Sequence, residues 1–340
     1  MKADTVKRES GFSLIELLIA IGLGIIILAV IFSTFKSQQD SYLLQGQVSM
    51  AQQNLRAALY MITRDIQMAG YYTSFVDAEY SSDWDDNPVT PDVAIMPLIY
   101  LINNAKGIPD VKEGTDILVI VRASDKYRRL EAGEKGNPGD PASASLILAS
   151  WVKNGKVKDA RDLDGDGDID LKYYTGAGHS KYAILVKEDL RRAEVFEVGA
   201  DNGFIFNSGL VETYGAGDSI HKLDVIMYLI DNSDPEHPCL SRRNIGTDNS
   251  FSVIAEDMDN LQFELILGDG SIIDNLDESK NIPFVRAIKA YLIARSETTV
   301  KGYTDPGTYD MGEAGIYRPA DSYMRRMLSS TIKTRNMSGR

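Results

Sequence analysis

Between Phe12 and Phe35 the chain carries a single charged residue, Glu16. As a helix, at about 1.5 Å per residue, this run spans roughly 36 Å, enough to cross a bilayer. Lys2, Lys7 and Arg8 precede it, and no basic cluster follows it directly. The positive-inside rule then keeps the N-terminus in the cytoplasm and exports the rest. A cleaved secretory signal fits less well. The run is longer than a typical signal core, it lacks a small-x-small cleavage site, and polar helical sequence continues straight after it. A plain membrane anchor is the stronger alternative, but Glu16 argues against it. A carboxylate near the start of a spanning segment costs about 2–3 kcal/mol on insertion scales, so its presence calls for a role.

The helical pattern continues beyond the apolar run. No proline occurs before Pro88. Apolar residues recur at Leu44, Val48, Ala51, Leu55, Leu59, Ile62, Ile66 and Ala69. Steps of three and four residues place them on one stripe, and Gly70 is the expected stop. The sequence therefore predicts one helix over residues 12–69, its first half in the membrane and its second against a globular head.

Gly11-Phe12-Ser13-Leu14-Ile15-Glu16-Leu17, behind a short basic leader, resembles the type IV prepilin processing motif. The resemblance implies that a prepilin peptidase cuts between Gly11 and Phe12 and methylates the new amino group of Phe12. Glu16 becomes the fifth residue of the mature chain, and the resemblance implies that it pairs with a neighbouring subunit's N-terminal amine during assembly. The physics agrees, because a carboxylate buried among apolar helices needs a cation. Many pilins have a proline in the middle of the spanning helix that lets it melt locally. Ser33 stands there in this chain, with Gly22 and Gly24 upstream.

The expected organisation is a leader over 1–11, a transmembrane half-helix over 12–35, a periplasmic half-helix over 36–70 and a head over 71–340. Residues 71–114, rich in Asp, Ser, Pro and Tyr, read as a long connection with at most small elements. Strand-like runs follow at Asp116–Arg122, Ser145–Ala149, Tyr182–Val186, Ala193–Val198, Leu223–Ile230, Leu261–Leu267 and Val285–Ala294. Asp269-Gly270 signals a hairpin. Residues 297–321 read as a surface excursion, and Met324–Thr334 as a last strand. With no evident parallel βαβ units, the expected class is α+β: an antiparallel sheet packed on the long helix, with large inserted loops. The resemblance names this a pilin fold.

Several phrases of the head resemble segments of the PilW-type minor pilins. They are Arg56-Ala57-Ala58-Leu59 and Arg64-Asp65 through Gly70-Tyr71 at the helix end, Asp116-Ile117-Leu118-Val119, and Ala193-Glu194-Val195-Phe196. Asp257-Met258-Asp259-Asn260-Leu261-Gln262-Phe263, Val285-Arg286-Ala287 through Ala294-Arg295-Ser296, and Arg325-Arg326 with Thr331, Arg335 and Asn336 complete the series. A family cysteine expected just after the helix is absent, since Tyr72 and Thr73 stand there.

Asp162, Asp164, Asp166, Asp168 and Asp170 form the one metal-like pattern. Read as an EF-hand loop, Asp162, Asp164 and Asp166 take positions 1, 3 and 5, and Gly167 takes the sharp turn at position 6. Asp168 and Asp170 fall at positions 7 and 9. Tyr173 stands where the bidentate glutamate would be. The loop thus resembles the shorter calcium loops of extracellular repeats, and Ca2+ is the expected cofactor. The alternative is a solvated acidic turn, in which the five carboxylates repel one another without a counter-ion.

The net charge of −13 repels phosphate, so nucleic acid is not an expected partner. Cys239, the single cysteine, makes no intrachain disulfide and is expected to be a buried or half-buried thiol, with an intermolecular bridge as the alternative. His179, His221 and His237 have no metal-ligand spacing with one another or with Cys239, and are expected to be surface or hydrogen-bonding residues. Nucleophile elbows, phosphate-binding glycine loops and redox cysteine pairs are missing, so neither catalysis nor an organic cofactor is expected.

The resemblance implies a minor pilin that joins other minor and major pilins, starts pilus assembly or forms the tip, and presents an adhesin. Prepilin peptidase, the pilus assembly platform and the inner membrane are its further implied partners. Before assembly it would be a single-pass inner-membrane protein with a periplasmic head, and afterwards part of the extracellular pilus. Two alternatives stay open: a type II secretion pseudopilin of the GspJ kind, and an exported calcium-binding adhesive module on a pilin-type anchor. The K-type pseudopilin usually lacks the fifth-position glutamate, so Glu16 counts against it.

Overall fold

The computed structural model describes residues 13–71, 99–129, 151–153, 156–158, 182–189, 193–198, 204–205, 217–245, 247–248, 250–274 and 285–337. One helix, α1, runs over Leu14–Met68. The strands are β1 (Ile99–Ile102), β2 (Ile117–Arg129), β3 (Trp151–Lys153), β4 (Lys156–Lys158), β5 (Tyr182–Val186), β6 (Ala193–Val198), β7 (Phe204–Ile205) and β8 (Ser219–Asp231). They continue with β9 (Cys239–Ile245), β10 (Ser252–Ala255), β11 (Met258–Leu267), β12 (Ile272–Ile273), β13 (Val285–Arg295), β14 (Tyr309–Asp310), β15 (Ile316–Tyr317) and β16 (Arg325–Lys333). The expected strand at Ser145–Ala149 lies outside the described residues.

The chain divides into two units, Met1–Met50 and Ala51–Arg340. In the first unit, α1 is apolar on every side from Leu14 to Phe35, with Glu16 its one charge. Leu14, Leu18, Ile21, Ile25, Leu28, Phe32 and Phe35 are all exposed, which is the composition of a helix suited to lipid or to other apolar helices and not to water. It is the one described helix long and apolar enough to cross a membrane. No proline interrupts it. Ser33 Oγ and Thr34 Oγ1 each donate to the Val30 carbonyl at 2.9 Å, so their hydroxyls are satisfied within the helix.

In the second unit, α1 buries Ala51, Leu55, Ala58, Ile62 and Ile66 in the main core, joined by Ala69 just past its end. From Ala51 onward this is the predicted stripe, except that Leu59 is half-buried and Ala58 lies deeper; Leu44 and Val48 are half-buried and fall in the first unit. Gly70 ends the helix at φ +73°, a conformation natural to glycine after a helix. Its N–H donates to the Val121 carbonyl at 3.0 Å, which ties the helix end to β2.

Two antiparallel sheets share that core, where one was expected. The first has eight strands, β1-β2-β8-β5-β6-β7 with β9 and β10 joined through β8. The long β8 makes this branching possible. One side pairs with β2, while the other pairs with β5 at its start and with β9 over Val225–Asp231. Period-two alternation sends Leu118, Ile120, Ile226 and Tyr228 into the core with α1. It sends Ile117, Val119, Val121, Val225 and Met227 into a second core on the opposite face. The second sheet has the order β12-β11-β13-β16. Phe263, Leu265, Ile288 and Leu292 face α1, and Tyr291 and Ile293 face Met311 on the other side.

The connecting stretch before residue 114 contains a small element, as allowed for: β1, which pairs with β2 from Ile99↔Ile120 to Ile102↔Ile117. Two other readings change. β9 and β10 had no clear alternating signal, because Arg242 and Arg243 interrupt the apolar pattern of β9. They pair with each other nonetheless, since both arginines are accommodated: Arg242 reaches Asp65, and Arg243 lies 5.7 Å over the Phe251 ring. Finally, the excursion over 297–321 is pinned to the head. Asp305 and Met311 in it are buried.

Candidate functional site

At the start of α1 the Ser13 N–H donates to Glu16 Oε2 at 3.0 Å, and the Glu16 N–H donates to Ser13 Oγ at 3.3 Å. This is a reciprocal capping box. The carboxylate also sits at the positive end of the helix dipole. Glu16 is exposed within this chain. Gly11 and Phe12, the two residues of the expected cleavage, lie outside the described residues.

Asp162, Asp164, Asp166, Asp168 and Asp170, with His179, also lie outside the described residues. Among the described residues no group of three or more His, Cys, Asp or Glu is placed to hold a metal ion. Cys239 is half-buried, and its thiol donates to the His237 carbonyl at 3.1 Å. Burial and the nearby Glu256 and Asp257 carboxylates push the thiol up, which disfavours the reactive thiolate. His237 is exposed and lies 3.1 Å from Asp257, whose hydrogen bond raises it. His221 is buried, not at the surface. Its ring contacts Ser219 Oγ at 2.9 Å and the Ser124 carbonyl at 3.1 Å, and burial lowers its pKa, favouring the neutral ring.

The buried carboxylates Asp65, Asp116 and Asp259 each gather polar partners from distant parts of the head. Asp65, on the core side of α1, accepts from Tyr228 Oη at 2.6 Å and Arg242 Nε at 2.9 Å, with Arg122 Nη1 at 3.3 Å. It sits at the helical spacing that buries Ile62, Ile66 and Ala69, so its position on the stripe was the available signal for a buried carboxylate. Burial, reinforced by Asp65, pushes the Tyr228 phenol up and keeps it protonated as a donor.

Asp116, at the entrance to β2, joins the two sheets. Its N–H donates to the Leu261 carbonyl at 2.9 Å, and its carboxylate accepts from the N–H groups of Asn104 at 2.9 Å and Phe263 at 2.7 Å. Burial raises its pKa to about 7, with the Asp274 charge adding to the effect and the two N–H bonds opposing it.

Asp259 is the third centre. Arg325 Nε donates to its Oδ2 at 2.6 Å, Tyr317 Oη donates to Oδ2 at 2.8 Å, and Lys112 Nζ donates to Oδ1 at 2.6 Å. Burial would raise this carboxyl, but Lys112 and Arg325 outweigh it and hold it at about 2. Arg325 also grips both oxygens of Asp321 at 2.6 Å and reaches Asp305 at 3.3 Å. That fork is what pins the excursion to β16. Arg295 completes the cluster, stacked 4.2 Å from the Tyr323 ring and donating to the Pro235 and Glu236 carbonyls.

An apolar N-terminal helix opened by a Ser-x-x-Glu box, together with a head of antiparallel sheets, defines a pilin-like protein. The model of the prokaryotic N-terminal methylation motif matches residues 6–32, and that of type IV pilus-assembly protein W matches residues 227–336. The chain is type IV prepilin-like and resembles the PilW-type minor pilins. The second match spans Tyr228, Arg242, Asp259, Arg295 and Arg325, which contribute to these polar contacts, while Asp65, Lys112 and Asp116 lie before it. Among solved structures, the type IV-like pilin TTHA1219 from Thermus thermophilus aligns at 14% identity and a TM-score of 0.23. That alignment covers 49% of this chain and 90% of that one, and its score is too low to bear on the argument. No curated protein matches the sequence.

Proposed function

We propose that this chain is a minor type IV pilin that joins other minor pilins to initiate pilus assembly or to form the tip, where it presents an adhesin. Its role is structural and not enzymatic. The observation that carries the reading is the pairing, in one chain, of the prepilin N-terminal motif with a PilW-like head segment. On this reading the peptidase cuts between Gly11 and Phe12, Phe12 is methylated, and Glu16 meets the amine of a neighbouring subunit. The chain starts as a single-pass inner-membrane protein with a periplasmic head and ends in the extracellular pilus. A deletion strain tests this: loss of surface pili and twitching is expected. Normal pili with lost export of folded proteins would reject it in favour of a type II secretion pseudopilin. A bulky residue at Gly11 should trap the longer precursor, and mature protein of normal size would contradict the leader assignment.

The reading includes calcium at Asp162, Asp164, Asp166, Asp168 and Asp170. Alternating carboxylates supply the oxygens a flexible hard cation takes, with affinity toward the extracellular range of about 10⁻⁵ to 10⁻³ M. Calorimetry with calcium should show heat of binding and a raised melting temperature. Neither effect at millimolar calcium would remove calcium from the reading.

A further inference from the structure

The second sheet ends on β16, whose inner side pairs with β13 without a register shift from Ala287↔Lys333 to Arg295↔Arg325. No described strand pairs with its outer side. Such an edge presents alternate unpaired N–H and C=O groups, which proteins usually protect by shortness, bulges, proline or a central charge. The chain uses two of these devices elsewhere. β12, the opposite edge, has two residues, and β10, an edge of the first sheet, has four residues and a register shift against β9. β16 has nine residues and no proline. Met327, Leu328, Ser329, Ser330, Thr331 and Ile332 form its uncharged middle, and Ser329 and Thr331 are exposed.

We propose that the outer edge of β16 receives an extended strand from a different pilin-type subunit, uncharged over about six residues and acidic at its ends. Strand addition of this kind takes its affinity from main-chain hydrogen bonds and its selectivity from side chains. Here the selecting charges are Arg326 and Lys333, both exposed at the two ends of the uncharged middle, with exposed Arg335 beyond. They suit carboxylates at the ends of the incoming strand. The same charges select against a second copy. Antiparallel self-pairing centred between Ser329 and Ser330 sets Arg326 opposite Lys333 at both ends, and like charges directly opposite one another destabilise a strand pair.

The inference rests on the pilus-subunit reading for the class of partner, and the experiment separates the two. A photo-crosslinking residue replaces Thr331 in the full chain in its native membranes, with one at the exposed Val253 of β10 as control. The expected product is a heterodimer whose partner carries a prepilin N-terminal motif, joined through an extended segment flanked by Asp or Glu. Adding Ser329→Asp should cut the yield at least tenfold with melting unchanged. Arg326→Glu should cut it too, with recovery when the partner's flanking acid is changed to Lys. No crosslink above the Val253 control, a crosslink only to a second copy or to a protein without the motif, or a yield indifferent to Ser329→Asp in folded protein would overturn the proposal. If pili require the chain yet the Thr331 crosslink is absent, the docking inference alone fails. If the crosslink forms but pili are normal without the chain, the assembly reading alone fails.

Discussion

Arg325 places its Nε 2.6 Å from Asp259 Oδ2 while both side chains are almost wholly excluded from solvent. The same guanidinium holds Asp321 with its other two nitrogens. One side chain therefore fastens the start of β16 to β11 and to the excursion before it.

Removing either member of this pair should be severe. Arg325→Met leaves the buried Asp259 charge with Lys112 at 2.6 Å and Arg295 at 4.0 Å, without its closest guanidinium, and a broken buried ion pair costs about 3–5 kcal/mol. Arg325→Lys should rescue little, because one ammonium cannot reproduce the fork. Urea unfolding monitored by circular dichroism measures both. A loss under about 1 kcal/mol for Arg325→Met would show that the network is not what holds the excursion.

Acid should act through Asp259. Its folded pKa is depressed to about 2, so its contribution, about 2 kcal/mol, is present above the unfolded value and is lost as pH falls from about 4 through 2. Asp259→Asn should flatten that limb of the stability curve while lowering the plateau.

Asp116 has the opposite sign. Its folded pKa is raised to about 7, so the folded state binds the proton more tightly than the unfolded state. Stability contributed here is full only below the unfolded value, under about pH 4, and falls as pH rises toward 7, by up to about 1.4 kcal/mol per pH unit. Asp116→Asn should abolish that slope, although a single amide oxygen cannot serve the N–H groups of both Asn104 and Phe263. Melting temperatures between pH 4 and 8 give the slope directly, and an unchanged slope in the variant would assign it to other groups.

Gly312 should tolerate no side chain. Its φ is +72°, and an added Cβ would meet the Glu264 carboxylate, which accepts from Tyr291 Oη at 2.6 Å and the Glu313 N–H at 2.8 Å. Gly312→Ala combines left-handed strain with displacement of a buried acceptor, at about 2–3 kcal/mol. Gly315, also at positive φ but with open space around it, is the control, and Gly315→Ala should cost about 1 kcal/mol. Equal losses at the two sites would show that the Glu264 contact is unimportant.

The proposed pairing of Glu16 with a neighbour's amine is separable from its part in the capping box. Glutamine can still close a capping box but carries no charge. Glu16→Gln should therefore enter filaments as poorly as Glu16→Ala. Ser13→Ala, which removes only the cap at about 1 kcal/mol, should enter almost normally. Cleavage should survive in all three. Co-purification with partner pilins reads the outcome, and rescue by glutamine would make the cap, not the charge, the working feature.

Much of the fold was legible because apolar periodicity reports burial directly. The stripe from Ala51 to Ala69 and the stop at Gly70 follow from helical spacing, and β5 and β6 match the expected Tyr182–Val186 and Ala193–Val198. β8 and β11 run longer than their apolar centres, because pairing with neighbours extends them through polar residues such as Ser219 and Asp259. The head phrases shared with PilW-type chains were recognisable as phrases, but their physical content was not. Asp116, Asp259, Arg295 and Arg325 look like ordinary surface charges in a chain a quarter of whose residues are charged.

The sequence by itself determined the apolar N-terminal helix with its lone Glu16, the amphipathic continuation and the antiparallel character of the head. Each follows from local spacing and composition. Tertiary structure decided which charges are buried, how the core strands divide between two sheets, and which edge has no described strand beyond it. Asp65 meets Arg242 across 177 residues of chain, and Asp259 meets Arg325 across 66. A polar residue is stable in a core only when such a partner arrives, and no local pattern announces an arrival from that distance.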